Sequence, residues 1–159
     1  MPPPFYRITL LSILLSATGF TAQENKSLVH APGPLNDSGI YRAEFINGEY
    51  ARPELLPRSI NLPPFLNWAP FIAPDESYVL FSSGRRNRHD SGDLYIARRA
   101  PDGTWSQPAI LPDSITTPEQ ERFPSISPAG RFLFFTRPTP GHDQKVYWVD
   151  ARSIQTLRP

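Results

Sequence analysis

An all-β chain of small antiparallel sheets in tandem is the fold this sequence predicts, and three observations predict it. Prolines are 20 of the 159 residues, more than double the usual ~5%, and a proline every few residues blocks helix continuation. Similar stretches of sequence recur 54 residues apart. Asn47-Gly48 and Asp102-Gly103 sit between β-branched and aromatic runs, and such pairs suit the positive-φ turns of hairpins. Apolar residues at 39% and aromatics at 12% are enough to build a core, so disorder is not expected over most of the chain.

The recurrence is the strongest of the three signals. Residues 69–83 (APFIAPDESYVLFSS) align with 123–137 (FPSISPAGRFLFFTR) at an offset of 54. Pro70 falls on Pro124, Ile72 on Ile126, Pro74 on Pro128, Tyr78 on Phe132 and Phe81 on Phe135. Residues 40–57 match 94–112 at 54, rising to 55 after one inserted residue. Tyr41 then meets Tyr95, Gly48 meets Gly103, Tyr50 meets Trp105, Pro53 meets Pro108 and Leu56 meets Leu111. A partial third copy of the Leu94-to-Ala97 strand appears as Val146-Tyr147-Trp148-Val149.

Each unit reads as four short strands. The first, 70–73, is broken by Pro74-Asp75, where proline presets φ and aspartate bonds its own backbone. The second, 78–82, is apolar on both faces, as a buried strand should be. The third, 93–99, alternates Leu94 and Ile96 against Tyr95 and Ala97, and the Asp102-Gly103 hairpin follows. The fourth, 104–111, carries Pro108, which fits only an outer edge strand. Four antiparallel strands with an apolar inner pair describe one β-propeller blade.

The strings Ile-Ala-Pro-Asp-Glu-Ser-Tyr-Val-Leu-Phe-Ser-Ser (72–83) and Pro-Ser-Ile-Ser-Pro-Ala-Gly-Arg-Phe-Leu-Phe-Phe (124–135) resemble the WD-like, PD-type repeat of TolB-like β-propellers. Ala129 stands where that family usually has aspartate. Gly-Asp-Leu-Tyr-Ile-Ala (92–97) is similar to its third strand and Asp-Gly-Thr-Trp-Ser-Gln-Pro (102–108) to its fourth. The resemblance covers about residues 39–150 and implies an incomplete propeller of about two and a half blades, near 39–61, 69–112 and 123–159. Family members of known fold have six blades, and fewer than about four do not close. The chain is therefore expected to be a fragment, to pool blades between copies, or to leave sheet edges open for self-association.

Residues 1–22 read as a signal peptide: Arg7 precedes an apolar stretch from Ile8 to Leu15, and small residues follow. The run is far shorter than the ~20 apolar residues of a spanning helix, so no stable membrane span is expected after cleavage. Residues 23–38 are polar and bear proline and glycine, which fits a linker. The protein is expected to be exported, periplasmic or extracellular. With no cysteine, disulfides, zinc–thiolate sites, thiol nucleophiles and a lipidated Cys are excluded. A net charge of +1 gives no reason to expect a nucleic-acid partner.

Strand order places loops 61–69, 84–92, 113–122 and 137–145 at one end of the sheets, the mouth, and the turns at 47–48, 74–77, 102–103 and 128–131 at the other. The mouth carries the ligand-binding candidates Arg85, Arg86, Arg88, His89, Asp90, His142 and Asp143. His89-Asp90 and His142-Asp143 occupy matching loops, where imidazole and carboxylate suit a divalent metal or an acid–base pair. No motif surrounds them, so ordinary loop residues are the competing reading. The arginines offer forked donors to carboxylates or phosphates, offset by Asp90 and Asp93. Asp75, Asp93, Gly103 and Gly130 read as structural. No Gly-x-Ser-x-Gly elbow, Walker loop, HExxH or EF-hand string occurs, and no catalytic residue, metal or cofactor is assigned. The expected role is a non-catalytic binding or scaffold module for a protein or glycan. The alternatives are a fragment of a propeller-type hydrolase, or a truncated product without independent activity.

Overall fold

A computed structural model describes residues 27–30, 39–87, 91–139 and 142–155, with only the backbone described at 27–30, 86, 87, 91, 142, 143 and 155. The described chain is all-β, with three small antiparallel sheets and one short helix. The first sheet contains β1 (Ser27–His30), β2 (Tyr41–Ile46), β3 (Glu49–Tyr50) and β4 (Glu54–Leu55), with β2 pairing all three others. The second is a meander in the order β5 (Asn67–Ile72), β6 (Tyr78–Asn87), β7 (Ser91–Arg98), β8 (Ala109–Ile110). The third runs β9 (Arg122–Ile126), β10 (Phe132–Thr139), β11 (His142–Asp150), followed by α1 (Arg152–Gln155).

Two elements differ from the sequence reading, and a third settles a point that it left open, the fourth strand of the unit at 123–159. Ser27–His30, within the stretch expected as linker, forms β1 against β2. The strand expected over 104–111 shrinks to Ala109–Ile110 plus an isolated bridge between Arg99 and Trp105. Pro108 lies between the two pieces, and a residue without an N–H interrupts the ladder there. In the third unit, helix α1 rather than a fourth strand follows β11 among the described residues.

Strand partners in the second and third sheets agree at positions 54 apart. Ile72 faces Val79 and Ile126 faces Leu133; Trp68 faces Ser82 and Arg122 faces Thr136. Outside the ladders, Leu56 N donates to Ile40 O and Leu111 N to Leu94 O, both at 2.9 Å. Ala69 and Phe123, a matched pair, both adopt positive φ, at 49° and 53°. Each precedes its proline and marks an irregularity where the inner strand crosses its neighbour.

Side chains alternate across a strand, and β6 uses both faces. Val79 and Phe81 join Ile40, Leu56, Ile60, Tyr95 and Ala97 in a core linking the first and second sheets. Leu80 joins Leu94, Ile96, Leu111, Ile115, Leu133, Phe135 and Ile154 in a core linking the second and third. Burial on both faces explains why this strand is apolar throughout.

The turns carry the expected chemistry. Gly103 and Gly130 take φ of 87° and 69°, a region glycine enters without the Cβ clash of other residues. Glu76 occupies the place matching Gly130 at φ 58°, uncommon for a non-glycine residue. Its buried carboxylate accepts from Arg42 Nη2 at 2.6 Å and Arg99 Nη1 at 2.8 Å, tying the first sheet to the second. Asp75 accepts from Ser77 N and Oγ, and Asp102 from Thr104 N and Oγ1. Those bonds, the hydroxyl's foremost, hold both carboxyls below their ordinary value of 3.8. Bonding from Arg152 lowers Asp150 further, to about 2. A depressed folded-state pKa means that the stabilisation is complete above the unfolded value and is lost as pH falls through the folded one. Melting temperature is thus expected to be flat with respect to these groups above the ordinary carboxylate range. It should fall in acid, with the Asp150 contribution persisting to about pH 2; calorimetry across acid pH, with Asp75→Asn as comparison, checks this.

Candidate functional site: the loop end of the second and third sheets

The mouth end is braced by two arginines that do the same work from different places. In the second sheet, the Arg85 guanidinium lies 5.6 Å from the Phe81 ring centroid and 5.7 Å from that of Tyr95. Those two rings stack with centroids 6.1 Å apart. Arg85 also donates through Nη2 to the carbonyls of Ser59 and Ile60. Burial pushes its guanidinium pKa down. In the third sheet, Arg137 lies 5.5 Å from Phe135 and 4.8 Å from Tyr147, whose rings stack at 5.8 Å. It donates through Nη2 to Ile115 O at 2.6 Å. Each cation–ring contact is worth about 0.5–2 kcal/mol, and each carbonyl bond anchors the link that leads into its sheet.

Those links are themselves alike. Leu56-Pro57-Arg58-Ser59-Ile60 and Leu111-Pro112-Asp113-Ser114-Ile115 share a Leu-Pro-x-Ser-Ile pattern. Ile60 N bonds Pro57 O at 2.9 Å and Ile115 N bonds Pro112 O at 2.8 Å. The pattern was a sequence signal for this bracing that the strand alignment passed over.

Beside each brace lies a polar row. Asn67, Ser83 and Asp93 face one another across β5, β6 and β7, all fully buried, and Asn67 Nδ2 donates to Ile60 O at 3.1 Å. In the third sheet, Glu121 stands where the second has Asn67 and is also fully buried. Its Oε1 accepts from Arg137 Nε and from Thr117 Oγ1, both at 2.7 Å. Its own N donates to Gly92 O at 2.8 Å, joining the third unit to the loop of the second. Residues 59–67, 84, 85, 92 and 115–122 therefore converge on one end of the described chain.

The sequence candidates fall into three groups. Arg85 is half-buried and is corrected from a free member of a basic patch to a bracing residue, because its guanidinium lies against two rings and two carbonyls. Arg86, His142 and Asp143 lie in β6 and β11 by backbone, with His142 opposite Thr139; their side chains are outside the described residues. Arg88, His89 and Asp90 lie wholly outside the described residues, so neither His-Asp pair has a described geometry. Asp93, expected to fix its loop, sits buried on β7 against the core. Among the described residues, no group of three or more histidine, aspartate or glutamate side chains is close enough to hold a metal ion. No described helix is long and apolar enough to cross a membrane. Comparison with models of known protein families and with curated proteins found no match.

Proposed function

We propose that the chain is an exported, non-catalytic segment of a TolB-like β-propeller, its sheets serving as tandem blades and its mouth loops binding a protein or glycan of the cell envelope. The carrying observation is the double bracing of the loop end by Arg85 and Arg137. Rigid scaffolds that hold variable loops at one end are where binding residues concentrate. In sequence, segments 84–92 and 137–145 carry all of the cationic and imidazole groups assigned to binding. The equal strand partners at positions 54 apart support the tandem reading, and the apolar stretch after Arg7 supports export.

Two measurements test this reading. Fusing residues 1–38 to a reporter enzyme that matures only after export should give active enzyme; an inactive fusion argues against export. The purified chain should co-sediment with peptidoglycan, and combined replacement of Arg86, Arg88, His89 and His142 by alanine should abolish this without lowering the melting temperature. A chain that stays in the supernatant at every load contradicts glycan recognition by the mouth.

A further inference from the structure

The turns at 74–77 and 128–131 hold matching places in the second and third sheets but differ in one side chain: Gly130 stands where the second sheet has Glu76. Between the first and second sheets, the Glu76 carboxylate lies against the guanidinium groups of Arg42 and Arg99. Between the second and third, Ile96 stands in the place of Arg42, and the glycine brings no side chain. A cavity of about 40 Å³ lies at that point, lined by Ile96, Gly130, Tyr78 and Arg98. A water needs about 10–15 Å³, so a group the size of a carboxylate fits. A Cβ on Gly130 would meet nothing within 4 Å among the described residues.

A larger cleft of about 400 Å³ adjoins it, sharing Tyr78 and Gly130. Phe71, Ile126 and Pro128 give it apolar walls, and the exposed Asp75 belongs to its lining. The two spaces carry opposite charges. Arg98 lines the inner one; its Nη2 donates to Ile154 O at 2.7 Å, one use of a group with five N–H donors. Asp75 supplies an acceptor in the outer one. Burial above all raises the Tyr78 hydroxyl pKa, with Asp75 adding to the rise and Arg98 opposing it, so a neutral phenol sits within electrostatic reach of both.

We propose that this double space at the turn end binds the C-terminus of a peptide whose last residue is apolar. The carboxylate enters the small cavity toward Arg98, and the last side chain lies in the cleft against Phe71 and Ile126. The preceding backbone N–H groups run outward to Asp75. Glu76 supplies the internal precedent, a carboxylate held by arginine at the matching place. Charge complementarity selects a peptide over a simple fatty acid, which would bring no donor to Asp75. Arginine suits such an acceptor because its fork matches the two carboxylate oxygens. The site lies at the opposite end from the mouth loops and does not depend on any ligand there.

NMR titration of the full chain with acetyl-alanyl-leucine tests it. The amide resonances of Tyr78 and Gly130 should shift saturably. The same peptide with a C-terminal amide should bind at least about tenfold more weakly, the scale of one lost charge-assisted bond, and octanoate should also bind more weakly. Gly130→Ala should bind as the unmodified protein does. Gly130→Glu should not, because it places the chain's own carboxylate where the ligand's would go; Glu76 shows that this backbone conformation accepts a glutamate, at φ 58°. Should either variant fail to fold, the comparison of acid with amide on the unmodified protein still decides. Equal binding of acid and amide, octanoate binding as tightly as the peptide, or undiminished binding by a folded Gly130→Glu overturns the proposal. So does the absence of any saturable shift up to the solubility limit of the peptide.

Discussion

Glu121→Ala is expected to lower stability by about 3–5 kcal/mol, the usual cost of removing one partner from a buried ion pair. The carboxylate is fully buried and receives Arg137 Nε and Thr117 Oγ1. Its loss strands a guanidinium held between Phe135 and Tyr147 with one acceptor fewer in an interior of low dielectric. The same substitution loosens the 115–122 link, because Thr117 N and Oγ1 both bond this side chain. Urea unfolding checks the magnitude. Glu121→Gln keeps the shape and one acceptor oxygen and should fall between the wild type and alanine. A change under about 1 kcal/mol, the scale of an exposed pair, would mean that Glu121 is solvated.

Phe81→Ala should cost a similar amount, about 3–5 kcal/mol, through lost burial and the cavity left behind. Phe81 is fully buried among Ile60, Val79 and Tyr95, and its ring forms one wall of the Arg85 site. Truncation therefore also weakens the cation's hold on the Ser59 and Ile60 carbonyls. The two effects should be coupled. In a double-mutant cycle, Phe81→Ala and Arg85→Ala together should be less damaging than their sum by about 0.5–2 kcal/mol. Additive costs would show that the arginine and the ring act separately.

Much of the strand pattern was legible because the physics that sets it is local. Pro74-Asp75 and Asp102-Gly103 fix turns through their own dihedral preferences, and a strand apolar on both faces, such as 78–82, can only lie between layers. The offset of 54 carried strand register as well as composition, which is why Ile72 and Ile126 have matching partners. The bracing arginines escaped that comparison because Arg85 and Arg137 are 52 apart; side chains of this length reach equivalent carbonyls from non-equivalent backbone positions. Glu121 reads as a surface residue in sequence, and only its partners make burial tolerable. The pairing of Glu76 with Arg42 and Arg99 is likewise a contact across long sequence separation, invisible to any window. Strand β1 was missed because its pairing with β2 is set by tertiary context, while the surrounding composition is that of a linker.

The central claim is that the chain is a tandem of sheets in which residues one period apart hold equivalent places in the strand ladders. Amide hydrogen exchange, followed residue by residue by NMR, tests it most directly. Leu56 and Leu111, and likewise Ala73 and Ser127, donate equivalent backbone bonds, so each pair should be protected together and by comparable factors. If one member of each pair exchanged at the rate of an open chain while the other was protected, the units would not be equivalent and the tandem account would be wrong.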